Sequence, residues 1–129
     1  MYRIAKIISA ALFTLSLLAC ASNPPAKTVD GVYVNLAGMT LYTFDKDTAY
    51  SGKSACNGPC ATQWPPVAPT GDVRSDYSAI TRDDGSKQLA FQGKPVYLYA
   101  KDQNPGDKLG DGFKDVWHVI FHFYSDPSM

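Results

Sequence analysis

Apolar and polar residues alternate along much of this chain with a period of two, the spacing of strands whose two faces differ. Val32, Val34 and Leu36 alternate with Tyr33 and Asn35, which predicts a half-buried strand. Leu36-Ala37-Gly38-Met39 turns the chain, and residues 40–45 are expected to return as a second strand. There Leu41 and Thr43 face one way, Tyr42 and Phe44 the other. Residues 79–82 and 87–91 flank Asp83-Asp84-Gly85-Ser86, a strong hairpin signal. Gln92-Gly93-Lys94-Pro95 turns again into residues 96–100, where Val96 and Leu98 oppose Tyr97 and Tyr99. Both faces of that strand are apolar, so it should be covered on both sides. Residues 116–124 read as a last strand, Trp117, Val119, Phe121 and Phe123 forming a dense apolar face against His118, Ile120 and His122. Residues 60–64 have room for one helical turn before Pro65-Pro66 ends it.

Two of these segments are copies of each other. Tyr42-Thr43-Phe44-Asp45-Lys46-Asp47 recurs 55 residues later as Tyr97-Leu98-Tyr99-Ala100-Lys101-Asp102, with Gly38 and Gly93 at the same offset ahead. Each copy runs on through a Gly-containing polar loop to a lone tryptophan, Trp64 or Trp117. The chain is therefore read as two tandem hairpin–loop–Trp repeats, about residues 31–70 and 78–124, joined by a seam over 68–77. One hairpin cannot bury its own aromatic face. The two copies are expected to pack together as one all-β, mostly antiparallel domain over residues 29–129, with pseudo-twofold character. The pattern Tyr-x-aromatic-x-x-Asp resembles the signature of a bacterial lipoprotein family known as secreted repeats of unknown function. The resemblance spans roughly residues 32–120 and implies export and lipidation, but no substrate.

The first 19 residues are set apart from the fold. Arg3 and Lys6 precede an apolar run over residues 7–18 of signal-peptide length. The segment ends Leu17-Leu18-Ala19-Cys20, which resembles a lipobox with cleavage before the cysteine. Cys20 would then carry the acyl chains that anchor the mature protein to a membrane. Ala21 rather than Asp after that cysteine favours the outer membrane in a Gram-negative cell. Residues 20–28 make the lipidated N-terminus and a short polar tether, reaching about 25 Å if extended.

Cysteine usage agrees with export. Lipidating Cys20 leaves one pair, Cys56 and Cys60, and an oxidising compartment makes a disulfide their default state. Two of the 12 basic residues lie in the leader, leaving 10 against 12 acids, a net charge of −2. That balance points to neither nucleic acid nor an anionic membrane surface as a partner. All 12 acids are aspartates, which favour turns over helix interiors.

The candidate chemistry is sparse. Tyr42, Phe44, Asp47 and Tyr97, Tyr99, Asp102 admit two readings. Either the rings fill a core and the aspartates cap turns, which we favour, or rings and carboxylates converge on a ligand pocket. Asp102, Asp107, Asp111 and Asp115 alternate with glycines in a loop that offers oxygens to a hard cation, without the spacing of a known calcium loop. His118 and His122 would share a strand face about 13 Å apart, beyond one metal. Cys56, Cys60 and Met39 complete a conceivable copper set. No metal or other cofactor is expected, and no catalytic motif is present: Cys56 and Cys60 are one residue too far apart for a thioredoxin-like pair. The expectation is a non-enzymatic envelope lipoprotein, tethered to its membrane, that binds a protein or small molecule through its aromatic repeat face. The alternative is a metal-binding or redox-linked accessory lipoprotein.

Overall fold

A computed structural model describes residues 23–123. The leader, Cys20, the start of the tether and Tyr124 at the end of the second repeat lie outside the described residues. The chain enters on a strand that the alternation did not flag. β1 (Ala26–Val29) pairs antiparallel with β2 (Val32–Asn35), Val29 facing Val32 across the turn. Asp30 and Gly31 form that turn with φ of 51° and 77°, the left-handed pair of a two-residue hairpin. The strand thus begins inside the stretch read as tether. Ahead of it Asn23 is already held to the domain, its N donating to Asp72 Oδ2 at 3.1 Å and its O accepting from Asp72 N at 2.7 Å.

The return of residues 40–45 is not the partner of β2. The Asn35 carboxamide accepts from Ala37 N and Met39 N, and Asn35 N donates to Met39 O, so the chain makes a wide turn. It touches β2 again only at a Val34–Thr40 bridge. β3 (Tyr42–Phe44) crosses to pair with β7 (Trp117–Val119), Phe44 opposite Trp117. In the second half β4 (Tyr77–Thr81), β5 (Lys87–Phe91) and the two-residue β6 (Lys94–Pro95) form a meander. Residues 96–100 do not make the continuous strand expected of them. Tyr97 bridges Tyr42 on one side and Pro66 on the other. Pro65 and Pro66 have no N–H to donate, so this edge holds through Leu98 N to Pro65 O and Ala100 N to Gln63 O, 2.8 and 2.9 Å. A single α-helical turn among the described residues, α1 (Pro59–Gln63), falls where the Pro-Pro stop placed it.

The motif strands run through the middle and divide the core in two. On the face of Tyr42, Phe44, Tyr97 and Tyr99 lie Trp64, Trp117, Val119, Val32 and Cys56, all buried. On the opposite face lie Leu41, Val96, Ile120, Ala26 and Phe91. Val96 and Tyr97 are both fully buried, as a strand covered on both sides requires. The last strand is shorter than its alternation implies. Pairing with β3 ends at Val119; Ile120 turns into the second cluster and Phe121 goes on to bridge Val32 of β2. Phe121 and Phe123 are then left 52% and 87% exposed.

Candidate functional site

The two copies of the motif meet at their tyrosines. Tyr42 N donates to Tyr97 O and Tyr97 N to Tyr42 O, both at 2.9 Å, a reciprocal bridge about a local twofold. The hydroxyls cross in the same way. Tyr42 Oη donates to Asp102 Oδ2 at 2.6 Å, and Tyr97 Oη to Asp47 Oδ2 at 2.5 Å. Each aspartate gives its other oxygen to the loop that follows it. Asp47 Oδ1 accepts from Ala55 N at 2.7 Å, Asp102 Oδ1 from Leu109 N at 2.9 Å. These are staples across eight and seven residues, not the local Asx turns expected from sequence. Each repeat's tyrosine is thus held by the other repeat's aspartate.

The tryptophans are exchanged too. Trp117, in the second repeat, stacks on Phe44 of the first with centroids 4.2 Å apart. Trp64, in the first, stacks on Tyr99 of the second at 4.2 Å. The two indoles lie face to face at 3.9 Å and 3°. Phe44, Trp117, Trp64 and Tyr99 therefore make one continuous stack, with Tyr42 edge-on to Trp64 and Tyr97 edge-on to Trp117. Gly110 lies against the end of this stack: a Cβ there would come within 2.5 Å of the Trp64 ring and 2.9 Å of the Tyr99 ring. Burial, reinforced by the hydrogen-bonded carboxylates, pushes the Tyr42 and Tyr97 hydroxyls well above the ordinary phenol range. Rings and carboxylates do converge across the twofold, but on a filled interior. The aromatic repeat face expected to meet a partner is core.

One half of the cross has an additional layer. Ser54 Oγ lies 2.6 Å from Tyr97 Oη and accepts from Arg82 Nη1 at 3.0 Å. The buried Arg82 guanidinium also donates to Gln88 Oε1 at 2.6 Å and Cys56 O at 2.5 Å, and Gln88 Nε2 donates to Val96 O. Its charge reaches Asp47 only through Ser54 and Tyr97, a chain of polar groups. Among the described residues no buried side-chain nitrogen or oxygen is left unpaired. On the other half, Tyr42 Oη receives only Gly110 N, at 3.3 Å. No sequence signal singled out Ser54, Arg82 or Gln88, because the residues that gather them are far apart in the chain.

The candidate metal ligands are scattered. Asp102 is committed to the cross, and Asp107 accepts from Gln103 N and Asn104 N, which draws its carboxyl below the usual range. Asp111 accepts from Val119 N, and Asp115 ends a short 3-10 turn. His118 Nε2 meets Asp45 Oδ2 at 2.8 Å, whereas His122 Nδ1 meets Tyr33 Oη at 2.9 Å. Among the described residues no three His, Cys, Asp or Glu side chains come together as a metal set. Cys56 and Cys60 are joined by a disulfide, so with Met39 they form no thiolate site in this state.

What the surface does present is a groove of about 480 Å³ beside β7, unanticipated from the sequence. Tyr33, Phe91, Phe121 and Phe123 line it with Asp76, Gln92, Lys94 and His122. Tyr33 packs on Phe91 at 4.7 Å and on His122 at 5.6 Å, and Phe91 on Tyr77 at 5.4 Å. The alternation of residues 116–124 marks Phe121 and Phe123 only as part of the apolar face of a last strand. This segment passes from β3 to β2, where Phe121 bridges Val32, and its own alternation does not encode that change of partner.

A family model described as a secreted repeat of unknown function matches the chain twice, over residues 25–68 and 78–120. The first match opens just ahead of β1, which makes β1 and β2 the counterparts of β4 and β5. No curated protein and no solved structure matches.

Proposed function

The chain belongs to the family of secreted repeats of unknown function, and from that premise we propose that it is a lipid-anchored, non-enzymatic binding module of the cell envelope. Its anchor is Cys20, in the outer membrane of a Gram-negative cell, with the domain held close to the surface by the shortened tether. One observation carries the binding reading. Tyr42, Tyr97, Asp47 and Asp102 are buried and mutually engaged, while Phe121 and Phe123 stand exposed in a groove that gathers aromatic rings. Exposed large rings lining a concave surface are the usual mark of a ligand or partner site. The non-enzymatic reading rests on the same engagement: the Ser54 hydroxyl and both motif carboxylates are buried and bonded to the motif tyrosines. A metal-binding or redox-linked role has less support, with the two thiols joined and the other candidate ligands directed to separate partners.

A photo-reactive amino acid at position 121, compared with one at exposed Leu109, tests the reading in intact cells. Adducts are expected from position 121 and not from 109, and Cys20→Ser should release the protein from the membrane and lose acyl mass. A membrane-bound, acylated Cys20→Ser protein, or equal labelling at both positions, would refute it.

A further inference from the structure

The groove beside β7 has a charge pattern that narrows what it takes. Asp76 is exposed at its rim and forms no ion pair among the described residues. Its backbone is fixed there, Asp76 O accepting from Gln92 N at 2.7 Å. The lysine in the groove's lining is held by backbone carbonyls. Lys94 lines the groove, but its ammonium donates to Phe44 O and Asp47 O, each at 2.9 Å. His122 is turned to the Tyr33 hydroxyl. The field of the free carboxylate is felt within the ring cluster: beyond the effect of burial, it helps to raise both the Tyr33 and the Tyr77 phenol.

Building on the binding-module reading above, we propose that this groove binds a quaternary ammonium group, its positive charge set between the Asp76 carboxylate and the ring faces of Tyr33, Phe121 and Phe123. Ring faces attract a cation through their quadrupoles, and a neighbouring carboxylate adds direct attraction. The hydrocarbon share of the lining favours the quaternary over the primary cation. A primary ammonium brings three N–H donors that each want an acceptor. Besides the Asp76 carboxylate the groove offers the Gln92 side chain and the Thr43 hydroxyl, in a lining where Phe91, Val119, Ile120, Phe121 and Phe123 are hydrocarbon and the Tyr33 hydroxyl and His122 Nδ1 are bonded to each other. A trimethylammonium group has no N–H to satisfy and fills apolar space on all sides. The volume of about 480 Å³ falls in the range of small-ligand clefts.

The test is a pair of ligands of matched shape. Choline and its neutral carbon isostere, 3,3-dimethylbutanol, are titrated into the secreted chain carrying Cys20→Ser, following amide shifts in two-dimensional NMR. Choline is expected to shift Gln92, Phe121 and His122 saturably, and the isostere to bind about five- to tenfold more weakly, the worth of a partly exposed cation–ring contact. Asp76→Asn and Phe121→Ala, both at exposed positions, should each weaken choline to a similar extent while leaving the rest of the spectrum in place. Equal affinity for the two ligands, undiminished binding by Asp76→Asn, or no shift with choline would overturn the assignment. Methylammonium binding as tightly as tetramethylammonium would overturn the quaternary preference. The cross-linking at position 121 reports separately on the groove as a binding surface, so adducts there without choline binding would leave the module reading intact and remove only this ligand.

Discussion

The crossed Tyr–Asp pairs look equivalent, yet replacing each aspartate by asparagine should have unequal effects. Asparagine keeps one acceptor oxygen, and at either position that oxygen can retain the loop N–H, Ala55 or Leu109. Its NH2 then points at a tyrosine hydroxyl that formerly donated to a carboxylate. At position 47 the hydroxyl has an outlet. Tyr97 can turn its proton to Ser54 Oγ, 2.6 Å away, in the place of Arg82 Nη1, which keeps its bond to Gln88 Oε1, while Ser54 directs its own proton toward Cys56 O at 3.4 Å. At position 102 there is no outlet. Tyr42 Oη already receives Gly110 N, so with asparagine in place of Asp102 two donors face it and its own proton is stranded in a fully buried site. A stranded buried donor costs about 1–3 kcal/mol, and loss of the charge-assisted bond adds to that. Asp102→Asn should therefore destabilise by about 2–3 kcal/mol and Asp47→Asn by about 1. Urea unfolding followed by tryptophan fluorescence measures both, the m-value checking that the unfolded reference is unchanged. The mechanism has an internal control: Tyr42→Phe deletes the stranded proton, so adding it to Asp102→Asn should recover part of the loss, a coupling readable in a double-mutant cycle. Equal losses at positions 47 and 102, or no recovery in the double variant, would refute the reasoning.

Stability should fall on the alkaline side. The raised Tyr42 and Tyr97 phenols contribute fully below the ordinary value of 10.0, and the contribution is lost as pH climbs from there toward their folded values. Above pH 10.0 the loss approaches about 1.4 kcal/mol per pH unit for each residue; urea midpoints measured across the alkaline range should fall accordingly, and a midpoint unchanged above pH 10.0 would contradict this. Gly110→Ala forces a Cβ into the Trp64 and Tyr99 rings and should cost about 2 kcal/mol or more, with the near-ultraviolet dichroism of the indole pair altered in the folded protein. Reduction of Cys56–Cys60 should cost about 2 kcal/mol on the chain-entropy estimate for so small a loop; an unchanged melting temperature in dithiothreitol, with both thiols shown free, would contradict this.

How far the fold was legible depends on how local its causes are. The hairpin at Asp83-Asp84-Gly85-Ser86, the helical turn before Pro65-Pro66 and the disulfide are written in nearby residues, the duplication in the direct match of its two copies, and each is found where expected. Alternation alone does not find the partner of β2, because Asp30-Gly31, a hairpin signal as strong as any in the chain, sits between a polar segment and a strand. Ala26–Val29 also shows a single buried residue, so its alternation is weak. The roles of Asp47 and Asp102 were half legible: a carboxylate receiving backbone N–H groups was expected, but not a tyrosine some 50 to 60 residues away. Register between repeats is set by the meeting of Tyr42 and Tyr97, which no local window contains.

A duplication also separates what the fold needs from what lies free for other use. The hydrogen bonds align the halves residue by residue. Tyr33 N donates to Ile120 O and Tyr33 O accepts Leu41 N, just as Leu89 N donates to Val67 O and Leu89 O accepts Val96 N. Tyr33 thus corresponds to Leu89, Ile120 to Val67, and so Phe121 to Ala68 and Val32 to Gln88. Whatever both halves share, the tyrosines, aspartates and tryptophans, is what closes one repeat upon the other, and neither half can satisfy its own. Such residues are required by the architecture whatever the protein binds. The asymmetric positions are under no such demand. One half devotes its asymmetry to the Arg82–Gln88–Ser54 network, which is sealed inside and fully paired. The other devotes it to Tyr33, Phe121 and the carboxylate-rimmed groove, which is open to solvent. If function resides in what the copies do not have in common and a partner can reach, it resides in that groove.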